Sequence, residues 1–110
     1  MNWMFVEVVE FTRRVVQLGL EEDLRQLQAQ LNLDPRAGNL DPGTGGLRKA
    51  RMTDSPRGQG KRGGARVHYL LVPGREIIYL VNVYPKGEQV TLTPEQKRVL
   101  SRLAQMIATA

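Results

Sequence analysis

The chain contains no cysteine, which removes disulfides, thiolate nucleophiles and cysteine-based metal centres together. A thiol-free protein fits a reducing cytoplasm. There is a single histidine, His68, so neither a Cys-His catalytic pair nor a zinc site of the ordinary ligand set can be assembled. His68 lies between Val67 and Tyr69 in an apolar stretch and reads as a structural residue. Aromatic residues are scarce, with one Trp, three Tyr and two Phe, and none follows Tyr84. Long apolar runs are also missing. The opening Trp3-Met4-Phe5-Val6-Glu7-Val8-Val9-Glu10 is broken by Glu7 and Glu10 and carries no basic leader, so the expectation is a soluble, cytoplasmic protein without membrane contact. The glycines at 43–46 are not followed by Lys-Ser or Lys-Thr, which excludes a nucleotide-binding phosphate loop. Glu76 and Glu88 fall at strand ends without evident mates, so no carboxylate pair for glycoside or metal chemistry is visible. No cofactor is implied.

What the chain does have is concentrated positive charge. Between Arg48 and Arg66 stand seven basic residues and one acid, a net of +6 within a chain whose total is +5. Residues 1–47 are acidic on balance, with four basic and seven acidic side chains. Basicity that local points to a polyanionic partner, and the glycines interspersed at 58, 60, 63 and 64 let a backbone approach closely.

The 110 residues provide for one domain with a single modest core. Trp3 to Val8 predicts a strand. Phe11, Val15 and Leu18 recur at helical spacing up to Gly19, and Leu20, Leu24, Leu27 and Leu31 mark a second amphipathic helix with Glu21, Glu22 and Asp23 in its first turn. Residues 35–46 read as loop, dense in proline and glycine. A strand follows from Leu47, in which Ala50 and Met52 face the core and Lys49 and Arg51 stand together on the other face. Thr53 to Gly64 is a loop long enough to be functional or mobile. Arg66 to Val72 and Glu76 to Val83 are strands joined at Pro73-Gly74-Arg75. Thr93-Pro94-Glu95-Gln96 opens a last helix with a capping box, and Val99, Leu100, Leu103, Met106 and Ile107 form its expected buried stripe. The order β-α-α-β-β-β-α is that of an α+β fold, helices packed on an antiparallel sheet.

The chemistry these residues permit is cationic. Lys49, Arg51, Lys61, Arg62, Arg66 and Lys86 lie on neighbouring strands or the loops feeding them. Guanidinium and ammonium groups hold a scissile phosphate and stabilise the charge that builds on it during in-line attack. With RNA as substrate the nucleophile is the substrate's own 2′-hydroxyl. A lysine crowded by other cations is disfavoured from holding its proton, which would let Lys49 or Lys61 act as a base.

Gly43-Thr44-Gly45-Gly46-Leu47-Arg48-Lys49, Gly60-Lys61-Arg62-Gly63-Gly64-Ala65-Arg66-Val67-His68-Tyr69, Tyr79-Leu80-Val81-Asn82-Val83-Tyr84-Pro85-Lys86 and Leu92-Thr93-Pro94-Glu95-Gln96 together resemble the HigB branch of the RelE/ParE toxin superfamily, over nearly the whole chain. The resemblance implies a microbial-ribonuclease-like (RelE-like) fold and a toxin of a type II toxin–antitoxin system. Such a toxin is a ribosome-dependent mRNA endonuclease that inhibits translation. It implies as partners the ribosome, mRNA and a cognate HigA-type antitoxin with a helix-turn-helix, and no small-molecule cofactor. Carried over singly, the family's catalytic cations fall on Lys49, Arg51, Arg66 and Lys86, the last where RelE has an arginine that protonates the leaving oxygen. Arg48, Lys61, Arg62 and Tyr84 are the expected RNA-contacting residues. The base-stacking tyrosine of RelE has no counterpart, since that stretch reads Val90-Thr91-Leu92-Thr93. Two further readings are a ParE-like gyrase inhibitor, against which the cationic cluster argues, and a non-catalytic nucleic-acid-binding module.

Overall fold

The bulky opening residues form strand β1 (Met4–Glu7). From there the computed structural model, which describes residues 2–110, runs through two helices, four further strands and a last helix. Helix α1 (Val9–Leu18) stops at Gly19, whose φ of 70° turns its amide back onto the carbonyls of Val15 and Val16, a left-handed conformation that glycine takes without steric cost. Helix α2 (Glu21–Leu33) carries the expected acids in its first turn. Leu20, Leu24, Leu27 and Leu31 are all buried, as their spacing requires.

The segment read as loop contains a two-residue strand, β2 (Asn39–Leu40), too short to leave a periodic signal. It pairs with the start of β3 (Arg48–Met52). Strands β4 (Ala65–Val72) and β5 (Ile77–Pro85) follow, joined by a 3-10 turn at Pro73–Arg75. The five strands lie in the order β1-β5-β4-β3-β2. The α+β fold is the one expected, with one amendment: β1 runs parallel to β5, and only the other pairs are antiparallel.

Strand β5 is apolar on both faces because both are covered. Ile78, Leu80 and Val83 join Ala50, Met52, Val67 and Tyr69 beneath α1 and α2. On the opposite face Val81 and Tyr84 join Leu47 and Leu70 beneath Leu100 and Ala104 of helix α3 (Pro94–Thr109). Each fully buried leucine contributes about 1.5–3 kcal/mol of apolar burial. The α3 capping box forms as predicted: Thr93 Oγ1 accepts from the Gln96 amide at 3.1 Å and Gln96 Oε1 accepts from the Thr93 amide at 2.9 Å. The expected α3 stripe needs correction, because Val99 and Met106 are 54% and 68% exposed. The helix rests on the sheet through Leu100, Leu103, Ala104 and Ile107.

The Gly-Thr-Gly-Gly run serves this packing. Buried Thr44 donates through Oγ1 to the Asp41 carbonyl at 2.6 Å and accepts from the Leu47 amide at 3.2 Å. A Cβ at Gly45 would stand 3.1 Å from the Ser101 backbone, so the missing side chain is what lets the loop lie against α3.

Candidate active site

Alternation along β3 sends Ala50 and Met52 into the helical core, 5% and 1% exposed, and leaves Lys49 and Arg51 on the α3 side with Leu47. Strand register then assembles two rows of side chains. Lys49 lies opposite His68, and His68 opposite Asn82; Arg51 lies opposite Arg66, and Arg66 opposite Tyr84. Directly opposed like charges on adjacent strands repel, so the Arg51–Arg66 pair has no value to the sheet itself.

Arg66 is 8% exposed. Burial, and then the charge of Arg51, lower its pKa, with the Tyr84 phenol acting the other way; a guanidinium remains charged regardless. Its Nη1 donates to the carbonyls of Lys61 and Ala65, both at 3.1 Å, and its Nη2 to the carbonyl of Arg62 at 2.9 Å. Lys86, just past β5, donates through Nζ to the same Arg62 carbonyl at 3.2 Å and through its amide to Gly64 at 2.8 Å. The segment 59–64 therefore forms a strap whose carbonyl oxygens are held by two of the four expected catalytic cations. Gly64 permits this closeness: a Cβ there would fall 2.2 Å from the Met52 carbonyl oxygen.

The first half of the long loop is more ordered than its composition indicated. A 3-10 turn spans Ser55–Arg57, Asp54 bridges to Gln59, and Asp54 Oδ2 accepts from Arg57 Nε at 2.5 Å. Asp23 of α2 accepts from Thr53 Oγ1 at 2.5 Å and from Ser55 Oγ at 2.7 Å. These hydrogen bonds outweigh the opposing effect of burial and hold the Asp23 carboxyl below its ordinary pKa.

The structure brings together Lys49, Arg51, Arg66 and Lys86, with Lys61 and Arg62 on the strap above them. Two expected contact residues are placed elsewhere. Arg48 follows the alternation of Ala50 and Met52, and its Nη1 donates to the Gly38 carbonyl at 2.8 Å. Tyr84 is 3% exposed and its hydroxyl donates to the Val90 carbonyl at 3.3 Å, so it forms the floor of the site and has no free face for stacking on a base. Tyr69 belongs to the core, its hydroxyl donating to Pro35 at 2.7 Å and accepting from the Gly38 amide at 3.0 Å.

Sequence reasoning missed Asp41. Its Oδ2 lies 2.8 Å from His68 Nε2, while Asn82 Nδ2 reaches His68 Nδ1 at 3.4 Å. Burial lowers the His68 pKa against the pull of Asp41, so the imidazole is neutral at neutral pH; it donates to Asp41 and accepts from Asn82. Burial works to raise the Asp41 carboxyl, but the His68 bond and the nearby Lys49 and Lys97 hold it below its ordinary value. His68 is thus the structural residue expected, and it ties the 41–47 loop to the sheet beneath the cations. Only the spacing across 27 residues separated Asp41 from recognition.

No protein-family model matches the chain. In three dimensions it is similar to a double arginine-to-alanine mutant of the E. coli toxin RelE in the free state, with a TM-score of 0.60 and 14% identity over 81% of this chain and 88% of that one. The fold is RelE-like. On this RelE-like sheet the cations of β3, β4 and the end of β5 share one face. The Arg62 carbonyl oxygen, which Arg66 and Lys86 share, marks where an anionic oxygen can be bound.

Proposed function

We propose that this chain is a HigB-type toxin of the RelE/ParE superfamily, an endoribonuclease that cleaves mRNA on the translating ribosome and is neutralised by a HigA-type antitoxin. The observation that carries the reading is the convergence of Lys49, Arg51, Arg66 and Lys86 on one face of a RelE-like sheet. Phosphate oxygens take the place of the strap carbonyls on Arg66. The RNA 2′-hydroxyl gives its proton to a base, Lys49 or Lys61, and attacks the adjacent phosphorus; the bond to the 5′ oxygen breaks, and Lys86 protonates that leaving oxygen. Arg51 and Arg66 hold the charge that gathers on the non-bridging oxygens. The products are a 2′,3′-cyclic phosphate and a 5′-hydroxyl.

Inducible expression followed by mapping of mRNA 5′ ends tests this, using paired transcripts with and without a functional start codon. Cuts confined to the translated transcript are expected. Halted replication without cuts would transfer the chain to the gyrase-inhibiting class, and RNA binding without fragments would reduce it to a binding module.

A further inference from the structure

The strap is held over the cations by polar contacts alone. No apolar side chain stands between Gln59 and Gly64, and Gly60, Lys61 and Arg62 are exposed. Arg66 fixes it through the Lys61 carbonyl at 3.1 Å and the Arg62 carbonyl at 2.9 Å, and Lys86 Nζ through the same Arg62 carbonyl at 3.2 Å. A further contact reaches away from the cations: Lys61 Nζ donates to Gln30 Oε1 of α2 at 3.1 Å.

Both ends of this span are anchored independently of it. Before it, Asp23 holds Thr53 and Ser55, and Asp54 and Gln59 exchange two backbone hydrogen bonds of 2.9 Å. After it, the Lys86 amide holds the Gly64 carbonyl at 2.8 Å and β4 begins at Ala65. Residues 60–63 lie between, and a Cβ added at Gly60 would meet nothing within 4 Å, so the chain has room to pivot there. Opening exposes no apolar surface and so lacks the hydrophobic cost that keeps a core element in place.

We infer that residues 60–63 form an autoinhibitory strap, whose Lys61 and Arg62 carbonyls occupy the phosphate positions on Arg66 and Lys86 and whose Lys61–Gln30 contact latches it shut. A phosphate oxygen carries more negative charge than a carbonyl oxygen, so the exchange on the two cations runs toward RNA once RNA arrives. The free protein is latent, because its affinity is reduced by the fraction of molecules in which the strap is open. Gln30 is a positioning residue here, acting through Lys61.

This rests on the reading of Arg66 and Lys86 as phosphate-holding groups, but its test needs no cleavage. The chain has no cysteine, so Gln30→Cys/Lys61→Cys carries only the two introduced thiols. A short bis-methanethiosulfonate tethers the strap to α2, and dithiothreitol releases it. The same variant capped at each thiol with methyl methanethiosulfonate is altered alike but left untethered. The probe is a fluorescent 2′-O-methyl pentauridylate, which lacks the attacking hydroxyl. The tethered form is expected to bind about tenfold or more weakly than the capped form, with recovery in dithiothreitol. In the otherwise unaltered chain, Gln30→Ala should bind about fivefold tighter than wild type, the latch being lost. Tethered binding within about twofold of capped, or tighter, would overturn the inference by making the strap a fixed part of the site. Gln30→Ala binding no tighter than wild type would overturn it as well, and so would a failure of every form to bind. Tether-dependent binding with no mRNA cuts in the expression experiment would instead remove the nuclease reading and leave the strap standing. Melting curves of each form confirm that the binding change arises in a folded protein.

Discussion

Replacing Arg66 with alanine separates its structural duty from the chemical one proposed for it. The change removes donors to the carbonyls of Lys61 and Ala65 at 3.1 Å and of Arg62 at 2.9 Å. A hydrogen bond with one charged partner contributes about 1.5–3 kcal/mol where its loss strands a desolvated group. Lys61 and Arg62 are exposed, so their carbonyls regain water and only the buried Ala65 contact counts in full. Relief of the Arg51–Arg66 opposition returns about 0.2–1 kcal/mol. The net loss is about 1–2 kcal/mol, a fall in Tm of roughly 5–10 °C for a domain of this size. The rate should fall much further, by about 10²–10³-fold, the usual effect of deleting one donor from a site that stabilises developing charge. Arg66→Lys keeps the charge but offers one nitrogen where two are used, so it should lie between wild type and Arg66→Ala in both measures. Circular dichroism melts and primer-extension cleavage assays read the two quantities independently. A folded Arg66→Ala protein that cuts within about threefold of wild type would refute the catalytic assignment, and a raised Tm would refute the strap energetics.

Acidification should destabilise the fold in two stages. His68 is held below the ordinary imidazole value of 6.5 by burial, so the unfolded chain takes up a proton that the folded one refuses. Stability is therefore full above about pH 6.5 and declines below it. Asp41, held below 3.8, adds a further loss as pH falls past that value. Melts at stepped pH should show His68→Gln with a flatter profile between pH 7 and 5, and an equal slope would refute the buried-neutral assignment. Gly64→Ala places a Cβ 2.2 Å from the Met52 carbonyl oxygen, and a chemical denaturation curve should register a loss of about 2 kcal/mol or more. Leu100→Ala should cost about 2–5 kcal/mol and Val99→Ala under about 0.5 kcal/mol. Equal effects in urea titrations would contradict the orientation of α3.

The legible parts were those where neighbouring residues decide the outcome. The leucine stripe of α2, the Thr93 capping box and the β3 alternation each depend on a period or a local bond, and each forms as its residues dictate. Charge density marked the cationic face for the same reason. Tertiary placement was not local. The covered half of α3 is chosen by where the sheet lies, which exposes Val99 and Met106 although their spacing fits a buried stripe. Tyr84 goes into the floor because Leu92 and Leu100 close over it. Arg48 is as basic as its neighbours, yet strand parity turns it to Gly38. Asp41 finds His68 only once two distant segments meet, and β2 is a pairing of two residues that no pattern can announce.

The parallel pairing of β1 with β5 has a kinetic consequence. Met4 must find Ile77 and Glu7 must find Leu80, so β1 is made well before β5 and waits for it before it is paired. Contacts so distant in sequence close slowly, because the loop entropy is lost before the pairing rewards it. Strand β5 is also the one that lays Asn82 and Tyr84 under the cations. A partly synthesised chain thus carries the charge of the basic segment without the surface that orders it. Completion of the sheet is what converts the one into the other.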